Sequence, residues 1–382
     1  MFRQAGRHLP EYNEYKQQKG KNFLQLLNDP EDVAEITLQP VRRYNVDAAI
    51  LFSDILVVLQ ALGIEVTMPG GSGITVPNPI TSIHDYNRRI PKDLINIKDK
   101  LSHVFEAIRL IKIKLNNEIP LIGFSAAPWT LMYYILGGTS KKNQNIPSLW
   151  LSDHPLESKE LLDLLTTIVI EYISEQIHTG VDIIQIFEAM GGNINENDFY
   201  IWALPCMERI LKEIKQRHPT IPIMIFARGA NYALESLQNI GYDVITLDTN
   251  INRQSIHNRL TNSAFEYMKK NELSMNNNNN INKIDVSNVK TAVIQGNFDI
   301  KYLKNNPFQD YKTGLINTDT CISGTDINTP ESVKEQVKRM FDELGTDKLI
   351  ANIGEGLTGL EDPVLVHAFV EAVHSLSSRI TA

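Results

Sequence analysis

The run Ala48-Ala49-Ile50-Leu51-Phe52 decides the fold class, because it is short and apolar and the polar pair Ser53-Asp54 follows it at once. Amphipathic stretches separate it from six further apolar runs of the same kind. These runs are Leu121–Ser125, Ile183–Phe187, Ile223–Phe226, Val244–Leu247, Ala292–Gln295 and Leu349–Asn352. Short buried strands that alternate with helices are typical of a parallel α/β domain, so we predict that fold class.

Two of the intervening stretches carry clear helix signals. Thr329-Pro330-Glu331 places a capping residue and then a proline at the first helical position, which predicts a helix start. One helical face elsewhere collects apolar residues at the expected spacing. This face contains Leu101, Val104, Phe105, Ile108, Ile111 and Leu115. We interpret both segments as scaffold helices.

The composition fits one large domain that is 42% hydrophobic over 382 residues. No apolar run approaches the roughly 18 residues of a membrane span, so we predict no membrane segment. The net charge of -8 argues against nucleic acid as a partner, and it would repel a polyanion unless positive charge is concentrated at the site.

The two cysteines, Cys206 and Cys321, are too few for a disulfide framework and suit a reducing compartment. No glycine-rich phosphate loop supports a nucleotide cofactor.

Asp54 is the first candidate site residue because of its position. It lies just past a predicted strand, and the carboxyl ends of strands form the active face of parallel α/β barrels. An aspartate at a strand end is also a common helix cap or turn former. The spacing alone leaves both interpretations open.

The start of the chain carries the second candidate, Arg3-Gln4-Ala5-Gly6-Arg7. Each arginine presents a fork of donors that fits a carboxylate, so Arg3 and Arg7 can hold two acid groups of one ligand. Gly6 disfavours a helix and favours a turn that approaches a ligand closely. A frayed terminus with two solvated arginines is the alternative.

Both candidates belong to a longer series of motifs that extends along nearly the whole chain. The series comprises Arg3–Tyr12, Ile50–Val58, Gln60–Gly63, Leu121–Phe124, Ala127–Met132, Gln185–Glu188, Gln295–Asn297 and Ala351–Gly354. It resembles the uroporphyrinogen decarboxylase family of haem biosynthesis. The resemblance implies decarboxylation of the four acetate arms of uroporphyrinogen III to coproporphyrinogen III, without metal or organic cofactor. It also implies a homodimer and a single (β/α)8 TIM-barrel domain over residues 1–382, although the sequence pattern reveals no eighth strand.

The resemblance assigns catalytic and binding roles to the first two candidates. Asp54 matches the aspartate that accepts hydrogen bonds from the pyrrole N–H groups at the centre of the macrocycle. Arg3 and Arg7 match the residues that position the carboxylate arms, and one of them is a candidate proton donor.

Other positions are carried over from the family one by one. Tyr134 matches a tyrosine whose hydroxyl orients an acetate arm, with the adjacent Tyr133 as the alternative. Phe187 matches a phenylalanine that packs against the macrocycle, although its pattern is also that of an ordinary strand residue. Ala5 is expected to provide backbone contacts, and Lys16 stands where the family has a further basic residue.

Two positions depart from the family. Ala189 replaces a serine that hydrogen-bonds the substrate, and Glu355 in Gly354-Glu355-Gly356 replaces a histidine. A weakened or inactive tetrapyrrole-binding relative is therefore the main alternative function. Corrinoid methyltransferases share the fold but hold zinc through a His-x-Cys pair, and neither Cys206 nor Cys321 has a histidine two residues earlier.

Two polar segments are predicted to be disordered insertions, namely residues 274–284 with their asparagine run and residues 304–328. Relative to the family, we expect an N-terminal segment to be missing before Arg3. The predicted location is cytoplasmic, with a plastid as the alternative if a targeting segment belongs in front of this chain.

Overall fold

The computed structural model describes residues 7–68, 74–91, 95–139, 141–275, 289–305 and 327–377. The chain divides into two compact units, Arg3–Ala230 and Asn231–Ala382. The predictions for Arg3 and Ala5 lie outside the described residues.

The N-terminal unit is built on a parallel sheet. Its strands are β1 (Ala49–Ile50), β2 (Leu121–Ala126), β3 (Ile183–Glu188) and β4 (Ile223–Ala227). Each strand pairs in parallel with the next one in the chain. These strands are largely buried, which explains their nearly continuous apolar sequence.

Helices connect the strands of this unit. They are α1 (Pro10–Lys19), α2 (Phe23–Leu27), α3 (Pro30–Tyr44), α4 (Val57–Ala61), α5 (Ile83–Arg89), α6 (Ile97–Lys100), α7 (Ser102–Leu115), α8 (Pro128–Gly137), α9 (Ile146–Asp153), α10 (Pro155–Thr179), α11 (Glu196–Asp198) and α12 (Leu204–Arg217). The predicted apolar face of α7 is buried, as its spacing requires.

The C-terminal unit repeats the alternation of strand and helix. Its elements are α13 (Leu234–Asn239), β5 (Val244–Thr246), α14 (Arg253–Met275), β6 (Val293–Phe298), α15 (Pro330–Leu344), β7 (Leu349–Ile353) and α16 (Pro363–Ser377). Strand β6 pairs in parallel with β5 and with β7. Helix α15 starts where predicted, because the Thr329 hydroxyl accepts a hydrogen bond from the Ser332 N–H at 3.2 Å and the Ser332 hydroxyl accepts one from the Thr329 N–H at 3.0 Å.

The prediction of an α/β fold is confirmed, and each of the seven predicted strands is present in the described residues. The largest difference in length is in β1, predicted over 48–52 and observed as Ala49–Ile50. The Leu51 N–H still donates to the Ile122 carbonyl at 3.1 Å, but the Phe52 N–H donates to the Thr37 hydroxyl of α3 at 3.0 Å. The Phe52 N–H points away from β2, because successive N–H groups of a strand alternate between its two sides, so the Thr37 hydroxyl binds the other edge of this segment.

The two predicted insertions fall mainly outside the described residues, which omit 276–288 and 306–326. Ser274 and Met275 belong to α14. At the edges of the second segment, Lys304 forms an isolated antiparallel bridge with Glu361, and the Asn328 amide donates to the Lys304 carbonyl at 2.7 Å. None of the helices in the described ranges is long and apolar enough to cross a membrane.

Candidate active site

Arg7 opens the described part of the N-terminal motif, in a turn that precedes α1, as the glycine pattern predicted. Its guanidinium carbon lies 4.8 Å from the centre of the Phe23 ring, which is a cation–π distance. The Phe23 ring meets the Phe52 ring edge-on at 5.6 Å between centroids. Arg7 is therefore held beside the segment that follows β1 and leads to Asp54.

Helix α1 is anchored to α3 by the fully buried Asp32. Asp32 accepts hydrogen bonds from the Tyr15 hydroxyl at 2.7 Å and the Lys21 ammonium at 2.6 Å, and it pairs with Lys19 at 3.2 Å. Burial opposes the charge, but the hydrogen bonds from Lys21, Tyr15 and Lys19 hold the pKa of Asp32 below its ordinary value. Lys16 lies exposed in the last turn of the same helix.

Asp54 is half-buried in the segment that follows β1, four residues past Ile50, on the side of the sheet where the strands end. Its Oδ1 accepts the Leu56 N–H at 2.8 Å, which is the local bond of a turn former. Burial raises the pKa of Tyr172 on α10, the Ser53 hydroxyl lowers it, and the Asp54 carboxylate raises it further. Both open interpretations of Asp54 are thus compatible with its contacts, and the Leu56 bond fixes the direction of the carboxylate.

Phe187 lies at the end of β3 and is half-buried. Its ring packs edge-on against Phe124 of β2 at 5.7 Å, and its carbonyl accepts the Ala127 N–H at 2.8 Å. The register pairs Phe187 with Ala126 of β2 and with Phe226 of β4. The ring thus belongs to the sheet face shared by these three strands.

The two candidate tyrosines on α8 differ in their environment. Tyr133 is buried, burial raises its pKa, and its hydroxyl accepts a hydrogen bond from the Asn193 amide at 3.3 Å. Tyr134 is half-buried, and its ring lies 6.1 Å from that of Tyr133. The two tyrosines therefore differ in burial, and the choice between them as the substrate contact stays a prediction.

Glu188 is a buried carboxyl group to which the sequence pattern gave no role. Its Oε1 accepts hydrogen bonds from the Thr130 hydroxyl at 2.5 Å and the Met190 N–H at 3.0 Å, and its Oε2 accepts the Thr130 N–H at 3.3 Å. Burial raises the pKa of Glu188 to about 7, against the opposing effect of these three bonds. The sequence feature that could have indicated this buried carboxyl group is its position directly after the apolar run Ile183–Phe187.

Ala189 is positioned by the same contacts. Its N–H donates to the Thr130 hydroxyl at 2.8 Å, so the backbone is fixed although the side chain offers no donor. Thr130 thus joins the start of α8 to the residues that follow β3. We call Glu188, Thr130 and the backbone of Ala189 and Met190 the Glu188 cluster.

Glu355 lies in the C-terminal unit, half-buried just beyond β7. The preceding Gly354 donates its N–H to the Phe298 carbonyl at 2.8 Å, and a Cβ at this glycine would approach the Thr249 Cα to 2.7 Å. Only glycine fits that approach without a backbone shift. The glycine of this motif therefore serves packing between the segments that follow β5, β6 and β7.

The other C-terminal motif also has a structural role. The Asn297 amide donates to the Asp248 carbonyl at 2.8 Å, and its Oδ1 accepts the Arg253 Nε–H at 2.7 Å. Arg253 also pairs with Glu343 at 3.1 Å. Burial opposes the charge of Glu343, but Arg339 and Arg253 hold its pKa below the ordinary value.

The chain is similar to known proteins along its whole length. The family model "Uroporphyrinogen decarboxylase (URO-D)" matches residues 1–326. A Salinibacter ruber protein named uroporphyrinogen decarboxylase is 34% identical, covering 100% of this chain and 92% of its own length. The protein of that name from Danio rerio is 35% identical, with 99% and 89% covered.

A solved structure is also similar to this chain. The methyltransferase from Methanosarcina mazei matches with a TM-score of 0.65 at 16% sequence identity, covering 97% of this chain and 91% of that one. At this identity the similarity concerns the fold alone, so it does not favour a methyltransferase function.

Proposed function

This chain belongs to the uroporphyrinogen decarboxylase family, and we propose that it removes the four acetate carboxyl groups of uroporphyrinogen III to give coproporphyrinogen III in haem biosynthesis. The observation that carries the proposal is the family match over residues 1–326, within which Asp54 lies in the segment that follows the carboxyl end of a parallel strand.

The proposed chemistry needs an electron sink, because loss of carbon dioxide from an acetate arm would otherwise leave an unstable carbanion. Protonation of the pyrrole ring at the carbon bearing that arm makes the ring cationic and supplies the sink. Asp54 stabilises this cation: opposite charges about 4 Å apart attract by roughly 4 kcal/mol at an effective dielectric constant of about 20. The bond from the Leu56 N–H orients the carboxylate before the charge develops.

Substrate binding requires positive charge and a flat apolar surface. Arg7, fixed over Phe23, is proposed to hold a carboxylate arm together with Arg3. Phe187 is proposed to pack against the macrocycle, and Tyr134 to orient an acetate arm. Lys16 and the backbone of Ala5 are proposed as further substrate contacts on the basis of the family resemblance.

The alternative is a weakened or inactive tetrapyrrole-binding relative. Its support is the loss of a hydroxyl at Ala189 and of a histidine at Glu355. The Thr130 hydroxyl fixes the Ala189 backbone through the Ala189 N–H, so the local geometry does not depend on a side-chain donor at position 189. This favours the enzyme over the inactive relative. The proposed role of Glu355 rests on its place in the family motif.

The proposal also covers the closure of the barrel, the oligomeric state, the absence of a cofactor and the location. A closed (β/α)8 barrel forming a single domain is supported by the strand–helix alternation and by the similarity to the methyltransferase fold. A homodimer is supported by the family resemblance. We propose that the side chains act without a metal or organic cofactor and that the location is cytoplasmic, in agreement with the two cysteines.

Product analysis under anaerobic, reducing conditions tests the proposed function. Purified protein should convert uroporphyrinogen III to coproporphyrinogen III with release of carbon dioxide. Coproporphyrinogen III, which lacks acetate arms, is the control and should release none. Binding of the tetrapyrrole without any product would support the inactive relative instead.

A further inference from the structure

The residue Arg228 lies in a tight turn at the carboxyl end of β4. The Ala230 N–H donates to the Ala227 carbonyl at 3.0 Å, and Gly229 has φ +79°, as the third residue of a type II turn requires. A Cβ on Gly229 would lie 2.7 Å from the Gly192 Cα. The turn is therefore held closely against the segment that follows β3.

The register determines which residue lies beside Arg228. Phe226 pairs with Phe187, and Glu188 pairs with Ala227. The ladder continues one step, because the Arg228 N–H donates to the Glu188 carbonyl at 2.9 Å. The same register therefore places Arg228, the first residue after β4, directly across from Ala189, the first residue after β3.

The charge of Arg228 is not used inside the protein. Its side chain is exposed, and in the ranges that the structure describes its guanidinium has neither a hydrogen bond nor an ion pair. Other exposed arginines of this unit are paired, including Arg88 with Asp85, Arg109 with Glu106 and Arg217 with Glu171. A charge held by a rigid turn and lacking an acidic partner is available to a ligand.

We propose that Arg228 binds a carboxylate arm of the tetrapyrrole beside Ala189, an inference that rests on the proposed function. A guanidinium holds a carboxylate through two parallel hydrogen bonds, and Ala189 itself offers no side-chain donor. The charge also offsets locally the repulsion between a polyanionic substrate and a protein of net charge -8. Arg228 is thus a substrate-binding residue that acts together with the N-terminal arginines.

Three variants test this assignment. Arg228→Gln keeps much of the side-chain length but removes the charge, and it should raise KM for uroporphyrinogen III about tenfold, as expected for a lost charged hydrogen bond. Arg228→Lys keeps the charge but loses the planar fork, so its KM should fall between those of the wild type and Arg228→Gln. Arg109→Gln removes the same charge from the outer face of α7 and should leave KM unchanged.

Ionic strength separates binding from a structural role of the turn. Salt should raise the KM of the wild type, and it should raise the KM of Arg228→Gln less steeply. All variants should melt at the wild-type temperature, because the side chain is exposed. A folded Arg228→Gln protein with wild-type KM and salt dependence would overturn the inference.

Failure of the proposed function is a distinct result. If the wild type releases no carbon dioxide, the fluorescence of uroporphyrin serves to measure binding in place of turnover. Weaker binding by Arg228→Gln than by Arg109→Gln would still support the carboxylate contact, and equal binding would refute it.

Discussion

Asp54 and Glu188 are both carboxyl groups on the side of the sheet where the parallel strands of the N-terminal unit end, yet their surroundings differ. Asp54 is half-buried, and its described bond comes from the nearby Leu56 N–H. Glu188 is fully buried and receives bonds from the Thr130 hydroxyl, the Thr130 N–H and the Met190 N–H. Position at a strand end therefore does not assign a role. Burial and three internal donors indicate a structural role for Glu188. The proposed ligand-facing role of Asp54 has to be tested by activity.

Removing Glu188 should have the largest effect on stability. Glu188→Ala leaves the Thr130 hydroxyl and the Thr130 N–H short of an acceptor, and each such group costs about 1–3 kcal/mol. The Met190 N–H keeps the Thr130 hydroxyl as an acceptor at 3.3 Å. We expect a loss of roughly 3 kcal/mol or more in the free energy of unfolding, measured by urea denaturation. Glu106→Ala, in an exposed pair on α7, is the control and should be nearly neutral. A Glu188→Ala protein as stable as the wild type would contradict a structural role for Glu188.

Changing Asp54 should affect activity more than folding. In Asp54→Asn the amide oxygen can still accept the Leu56 N–H, so the turn is preserved while the charge is lost. Hydrogen bonds to charged groups contribute about 1.5–3 kcal/mol, so kcat/KM should fall tenfold or more. The unfolding free energy should change by less than about 1 kcal/mol. Wild-type kcat/KM in the folded variant would make Asp54 a turn former only.

The pH dependence of stability distinguishes the two carboxyl groups further. The pKa of Glu188 is raised from 4.5 to about 7, so the folded state retains a proton that the unfolded state loses. Stability should therefore decrease as pH rises from about 4.5 and should level off above about 7, by on the order of 1–3 kcal/mol.

The matched variant for this measurement is Glu188→Gln, which cannot titrate at this position. Subtracting its unfolding free energy from that of the wild type at each pH isolates the contribution of Glu188. Parallel curves for the two proteins between pH 4.5 and 7 would contradict a buried, proton-retaining Glu188.

Thr130 offers the finest test of the Glu188 cluster. Thr130→Val removes the hydroxyl that donates to Glu188 and accepts the Ala189 N–H, at an expected cost of roughly 1–2 kcal/mol. Thr130→Ser keeps the hydroxyl and should cost about half as much or less. Thermal melts of both proteins give the comparison. A larger loss for serine than for valine would show that the methyl group, rather than the hydroxyl, matters.

The positions of the strands and of the α15 start followed from the sequence by itself, because each depends on neighbours in the chain. A buried parallel strand needs an apolar run, and a helix start needs a capping side chain such as Thr329. Short motifs along the chain likewise indicated the family, and the match over residues 1–326 confirmed it. The same local signals placed Asp54 and Phe187 at strand ends.

Only the tertiary structure decided which polar side chains form hydrogen bonds within the protein. Thr130 and Glu188 are 58 residues apart in the sequence, and only the packing of α8 against the end of β3 brings them together. The Phe52 N–H is bound by the Thr37 hydroxyl of α3, and the Tyr133 hydroxyl is bound by the Asn193 amide. Such contacts have no local sequence signal, because a hydrogen bond between distant residues forms only after the chain has folded back on itself.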